Sequence, residues 1–353
     1  MDDLVIDTDF YKGRKVLLTG HTGFKGSWLS LILLDLGADV TGYSLPPPTQ
    51  PALFKLLNLE KDMRSIIGDL RDKEFLLNTV NAEKPDIVIH MAAQPIVREG
   101  YIDPVGTYET NIMGTVNILE SIRQTEGVLS FVNVTTDKVY EDKELAVGYK
   151  EDDILNGHDP YSNSKSCSEL VTSCYRKSFF QDRETAISTV RAGNVIGGGD
   201  YAKDRIIPDC VRAAIEGQNI SVRNPFSIRP YQHVLEPLFA YLLVASAQAQ
   251  NRTIEGSYNV GPDDADCVNT QTLVELFCKY WGDDIYWEDA SDNGPPEASY
   301  LKLDSALIKS VFCWTPKWNI DDAVSRTVAW TKAYINNEDV KETMRKQIEE
   351  YLR

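Results

Sequence analysis

Short apolar runs alternate with amphipathic stretches through the first half of the chain. KVLLTG (residues 15–20) is an apolar run that ends in glycine. Trp28, Leu29, Ile32, Leu33 and Leu36 then recur at helical spacing until Gly37. Apolar residues three and four apart share one face of a helix, whereas a bounded run of four to eight reads as a buried strand. ADVTGYSL predicts a second strand, stopped by Pro46, Pro47 and Pro48. SIIGD, DIVIHMA, FVNVTT and ETAISTVRAGNV predict four more strands, with helices near residues 75–80 and 105–122. Strands alternating with crossover helices predict an α/β fold, a Rossmann-type doubly wound parallel sheet covered on both faces.

After residue 197 the rhythm loosens. GGGD, NPFSIRP and DNGPPEA read as loops between the shorter elements ISVR, GSYNV and TLVELFCKYW. The expected division is residues 1–196 as the dinucleotide-binding domain carrying the chemistry. Residues 197–353 would form a smaller mixed α/β C-terminal lobe for substrate, with elements free to cross between the two. Residues 336–353 are rich in charge and predict an exposed helix.

Composition narrows the function classes. The formal net charge of -17 argues against a general nucleic-acid surface, since phosphate contacts need clustered Lys and Arg. A small anion needs only a local basic pocket. Residues 201–230 offer one, with Lys203, Arg205, Arg212, Arg223 and Arg229 against Asp204, Asp209 and Glu216. No apolar run approaches the roughly 18 residues of a membrane span. The acidic start MDDLVIDTDF lacks a signal-peptide pattern, so the expected location is cytoplasmic. Six cysteines show neither C-x-x-C spacing nor clustering with histidine, which predicts free thiols and no metal site.

TGHTGFKG carries the first chemical signal. Gly20, Gly23 and Gly26, with Phe24 and Lys25 between them, lie after a predicted strand and open a predicted helix. Glycine there permits a tight turn and close backbone approach to a pyrophosphate, and the helix N-terminus supplies free N–H donors. The acidic residue expected at the end of the second strand is replaced by Ser44, and no Arg or Lys follows it to take a 2′-phosphate, which favours NAD over NADP. Asp69, with Leu70 beside it, is placed either to reach an adenine or simply to start a helix.

The second signal is PYSNSKSCSEL. Tyr161 and Lys165 lie four apart and share a helical face. A Lys ammonium beside a Tyr lowers the phenol pKa towards a usable base. FVNVTTDKVY ends a strand in Thr135, Thr136, Asp137 and Lys138, and ligands of open α/β sheets bind at strand C-terminal ends. Asp137 reads as a general acid and Lys138 as a general base, or both as the start of a solvated loop.

These segments, with HMAAQPIVREGYIDPVGTYETNIMGTVNILE, VRAGNVIGGGDYAKDRIIPD and VRNPFSIRPYQHVLEP, resemble the extended short-chain dehydrogenase/reductase superfamily from about Gly13 to Lys317. Within it they are similar to the nucleotide-sugar 4,6-dehydratases, most of all the branch acting on CDP-glucose, because related dehydratases carry Glu where Lys138 stands. The resemblance implies a catalytic set of Thr136, Asp137, Lys138, Tyr161 and Lys165. It implies NAD lined by Ala92, Ala93, Gln94 and Asn111, and a nucleotide sugar met by Asn194, Arg205, Arg223, Arg229, His233 and Asn259. It also implies a homodimer or homotetramer and a product used in deoxysugar synthesis for surface polysaccharides. A 4-epimerase would need Tyr161 and Lys165 but not Asp137, and a non-catalytic dinucleotide sensor would need neither.

Overall fold

The computed structural model describes residues 7–143, 147–282, 285–291 and 301–353. The acidic start up to Ile6 and the DNGPPEA loop lie outside the described residues. Seven parallel strands form the central sheet: β1 (Lys15–Thr19), β2 (Asp39–Ser44), β3 (Arg64–Ile67), β4 (Ile87–His90), β5 (Ser130–Thr136), β6 (Ala186–Ala192) and β7 (Ser257–Val260). Their spatial order is β7-β6-β5-β4-β1-β2-β3. The chain winds outward from β1 in both directions, so a crevice opens between β1 and β4 where the order reverses.

The strands alternate the faces they serve. Val16, Leu18, Ile87, Ile89, Val132, Val134 and Val190 join one apolar layer, and Leu17, Val88, Phe131 and Ile187 the other. The first layer is covered by α1 (Phe24–Asp35) and by a helix from the C-terminal half, residues 235–250. The second is covered by α2 (Lys73–Glu83), α3 (Gly114–Gln124) and α4 (Pro160–Phe179). A two-sided apolar sheet is what continuous, non-alternating runs such as DIVIHM require.

The helical segment expected near 105–122 is Pro104–Tyr108, then one π-helical turn Glu109–Met113, then α3. A third apolar cluster forms in the C-terminal half, from Ile207 and Cys210 of α5 (Ile206–Glu216), from Leu273 and Phe277 of a helix at Thr270–Trp281, and from Val324 and Val328 of a helix at Ile320–Ile335. Two segments of the C-terminal half rejoin the first: β7 extends the main sheet, and Leu235–Gln250 packs under it. The helix expected to be exposed at the C-terminus, Val340–Leu352, is half-buried instead. Val340, Met344, Ile348 and Tyr351 form an apolar stripe that enters the main core. Among the described residues no helix is long and apolar enough to cross a membrane.

Candidate active site

The loop after β1 is shaped by contact with the loop after β4. Thr19 Oγ1 bonds His90 Nδ1 (2.8 Å) and accepts from Met91 N and Ala92 N, both at 3.1 Å. Gly20 turns with φ +80°, and a Cβ there would stand 2.9 Å from Ala92 N. A Cβ at Gly26 would stand 2.1 Å from Gly20 O, so the turn closes only around glycine. Gly23 caps α1 with no side-chain hydrogen bond, which leaves the first-turn N–H groups open to an anion. Phe24 and Lys25 begin that helix.

The other residues expected to hold the cofactor lie on the following strands and loops. Ser44 ends β2 and bonds Thr22 (2.9 Å). Asp69 is held by Arg71, with Nη2–Oδ2 2.6 Å, and Leu70 is buried beside it. Gln94 N donates to Asn111 Oδ1 (2.8 Å), and Asn111 Nδ2 reaches Ser164 of α4 (2.9 Å). Asn111 sits in the π-helical turn, a local widening that aims one side chain off the regular helical face. Ala92 and Ala93 lie between these groups and the β1 turn.

The end of β5 and the start of α4 form the opposite wall. Asp159 accepts from Ser162 N and so caps α4, and Pro160 fixes its first turn. Tyr161 and Lys165 are both buried at its N-terminal end. The Thr136 hydroxyl lies near the Tyr161 phenol and donates to Asp137 Oδ1 (2.9 Å). The expectation that Lys165 lowers the Tyr161 pKa is not met. Burial pushes the phenol up to about 12, opposed by Thr136 and Arg205, while Lys165 donates to Val134 O at 3.1 Å. Burial brings Lys165 down to about 8, against the pull of Glu169.

Asp137 is 1% exposed, and Oδ2 has no partner among the described residues. Burial raises its pKa, and Lys138, Thr136 and Arg229 only partly offset this. A carboxyl group in such surroundings keeps its proton to a higher pH than a solvated one. Lys138, half-buried, follows directly.

Three of the arginines are held by carboxylates. Arg205 pairs with Asp200 (3.0 Å), and Arg223 pairs with Asp204 (3.0 Å), which also meets Arg98 (3.8 Å). Arg229 is buried and close enough to act on Asp137. Asn194 is half-buried, and its carbonyl accepts from Gln232 N. Arg212 pairs with Asp209 as a surface ion pair.

Two expected substrate residues are placed elsewhere. His233 is wholly buried between Trp28 and Trp318, with its pKa brought down to about 3 by burial and by Arg326. Asn259 is wholly buried, and its side chain is engaged by Tyr140 OH, Tyr149 O and Asp304 O. Their positions on short strands after a loop gave no sign of this enclosure. The structure adds Thr19, Arg98 and Tyr241, whose hydroxyl accepts from Lys25 Nζ at 2.7 Å. Burial, with Lys165 and Arg205 nearby, brings Lys25 down to about 7. Nothing local in the sequence pairs Lys25 with a tyrosine 216 positions away.

Comparison with known proteins agrees with this geometry. Residues 17–327 match the family model described as GDP-mannose 4,6 dehydratase. The chain is 46% identical over 99% of each chain to a CDP-glucose 4,6-dehydratase of Salmonella typhimurium. The chain belongs to the nucleotide-sugar 4,6-dehydratases. Membership of this family accounts for the Rossmann sheet and the Tyr161–Lys165 helix together. A UDP-glucose 4-epimerase of Thermus thermophilus, solved in complex with NAD, superposes with TM-score 0.78 at 25% identity, covering 90% of this chain and 99% of that one. A dTDP-glucose 4,6-dehydratase of Bacillus anthracis, also solved with NAD, superposes with TM-score 0.74 at 21% identity, covering 94% and 100%. The fold of this dehydratase is therefore shared with epimerases.

Proposed function

We propose that the protein converts CDP-glucose to CDP-4-dehydro-6-deoxyglucose and water. The observation that carries this reading is the buried, unpartnered Asp137 Oδ2 on the same wall as Tyr161. A 4-epimerase has no use for an acid there. An elimination does, because hydroxide is a poor leaving group unless it is protonated as the bond breaks.

A nicotinamide dinucleotide fits the glycine cradle and the uncapped start of α1, and when bound would supply the hydride chemistry that moves hydrogen from sugar carbon 4 to carbon 6. Gly20, Gly23 and Gly26 would hold its pyrophosphate, Ser44, Asp69 and Leu70 its adenosine, and Ala92, Ala93, Gln94, Asn111 and Lys165 its nicotinamide half. Ser44 in place of an acidic residue leaves no group specific to a bare ribose, and no cation beside it favours a 2′-phosphate, which supports NAD.

Tyr161 takes the proton of the 4-hydroxyl, with Arg205 stabilising the phenolate against burial. Lys138, in its uncharged form, removes the proton at carbon 5, made acidic by the neighbouring ketone. Asp137 protonates the 6-hydroxyl and water departs. Arg205, Arg223 and Arg229 engage the diphosphate, because a planar guanidinium binds phosphate oxygens in pairs. The 46% identity to a CDP-glucose enzyme supports cytidine as the base.

Separate incubations with CDP-glucose, dTDP-glucose and GDP-mannose, each assayed for a 4-keto product, test this. Product from CDP-glucose alone is expected, and turnover of another sugar in its place would refute the substrate assignment. Tyr101, Ile102, Val105, Met113 and Leu170 are exposed apolar side chains on α4 and the helices flanking it, which supports a homo-oligomer joined through that face. The chemistry and the acidic surface suit a cytoplasmic location.

A further inference from the structure

The most enclosed ion pair among the described residues joins Glu169 of α4 to Arg191 of β6. Oε2 and Nη2 lie 2.9 Å apart, and the side chains are 1% and 3% exposed. A buried ion pair is weak evidence for stability, since desolvation cancels much of its attraction. What such a pair can do is specify position. Glu169 makes three contacts: Oε1 accepts from Thr135 Oγ1 (2.5 Å), and Oε2 accepts from Thr189 Oγ1 (2.7 Å) and from Arg191.

These contacts complete a ladder. Three successive residues of β5 each face one residue of α4: Val134 O accepts from Lys165, Thr135 donates to Glu169, and the Thr136 hydroxyl lies near the Tyr161 phenol. The middle rung alone is tied onward to β6. Arg191 continues the chain through Nη1 to Tyr140 OH (2.8 Å), and Tyr140 to Asn259 Oδ1 (2.6 Å) on β7.

We propose that Glu169 is a positioning residue for the reaction: by fastening α4 to Thr135, Thr189 and Arg191, it fixes the register that puts Lys165 on the Val134 carbonyl and Tyr161 beside the Thr136 hydroxyl. This rests on the reading of Tyr161 and Lys165 given above. Helix and strand have different periods, so a slide of α4 along β5 would misplace both outer rungs at once. Misplacement of reacting groups by about 1 Å costs on the order of 100-fold in rate.

Glu169 also acts by charge. Lys165 is faced by Glu169 on its own helix, by His90 of β4 and by Lys25 of α1, and Glu169 is the anion of that set. Glu169 in turn is faced by Arg191, with Tyr140 and Glu151 beyond it. Glu169→Gln keeps the shape and removes the charge, so Lys165 loses its proton at lower pH. Since a neutral Lys165 binds the Val134 carbonyl more weakly than the ammonium does, its hold on β5 loosens and the alkaline limb of the kcat profile moves down, by about one pH unit for a neighbouring opposite charge.

The test compares Glu169→Gln, Glu169→Asp and Thr189→Val, with Tyr161→Phe as reference, in the full chain with NAD and CDP-glucose. Glu169→Gln is expected to shift the alkaline limb down by about one unit, with KM within about twofold of the parent. Glu169→Asp retains the charge but is too short for all three contacts. Its kcat should fall about 100-fold with the limb unmoved, and this arm stands if Glu169→Gln does not fold. Thr189→Val removes one bond and no charge, and should leave the pH profile unchanged whatever its melting temperature. An unshifted limb in a folded Glu169→Gln, or parental kcat in Glu169→Asp, overturns the proposal while Tyr161→Phe stays inactive. An active Tyr161→Phe would instead overturn the reading of the site itself.

Discussion

Replacing Asp137 with Asn isolates the elimination step, because the structure separates its two oxygens. Oδ1 accepts from Thr136 and Oδ2 has no partner among the described residues. Asn preserves the first contact and the side-chain volume, but it cannot donate a proton as an acid. Loss of a general acid slows a step by about 100- to 10,000-fold, or about 2.7–5.4 kcal/mol at 1.36 kcal/mol per decade. Oxidation at carbon 4 needs Tyr161 and not Asp137, so it should proceed. The variant is expected to accumulate reduced cofactor, read by its near-ultraviolet absorbance, within a single turnover.

Stability should move the other way. The folded-state pKa of Asp137 is raised by burial, so its favourable contribution exists at low pH and is lost as pH rises through that value. At neutral pH the parent carries this cost, and Asn does not. The melting temperature of Asp137→Asn should equal or exceed the parent's near pH 7, and the advantage should shrink below the ordinary carboxylate range. A variant that eliminates water at the parental rate, or one that fails to oxidise the sugar at all, would refute the assignment of Asp137 as acid.

Two further outcomes follow from the same geometry. Tyr161→Phe should lower kcat by about 100- to 10,000-fold while NAD affinity, measured by fluorescence titration, stays within a few-fold, since the glycine cradle is untouched. Arg229→Ala should weaken CDP binding in calorimetry by about 10- to 150-fold, the equivalent of a charge-assisted hydrogen bond of about 1.5–3 kcal/mol, and unchanged affinity would remove Arg229 from the substrate site.

The central sheet was legible because its strands are buried on both faces. KVLLT, DVTGYS and IVIH are short apolar or β-branched runs closed by glycine, serine or histidine, and each forms the strand its composition predicts. The glycine turn was legible too, since its constraint is backbone geometry, and Gly20 and Gly26 stand where a Cβ would collide. Contacts decided over long separations were not. The C-terminal helix carries Lys, Arg and Glu between Val340, Met344, Ile348 and Tyr351, and its charge hid a stripe spaced for burial. His233 and Asn259 are polar residues near the site in sequence, and their enclosure depends on Trp318 and Tyr140, which arrive from distant elements. The Tyr161–Lys165 spacing correctly predicted a shared helix end but not the direction of the ammonium, which is set by a β5 carbonyl. Glu169 continues the same spacing by one further turn, and that regularity was the available signal for it.

The most direct test of the account is isotope tracing in the unmodified protein. CDP-glucose carrying deuterium at carbon 4 is incubated with the enzyme and NAD, and the product is examined by NMR and mass spectrometry. The account predicts 4-dehydro-6-deoxy product with the deuterium now on carbon 6. An epimerase would return the label to carbon 4, and a dinucleotide-binding sensor would move none. Product that has lost water yet carries no deuterium at carbon 6 would contradict the proposed reaction.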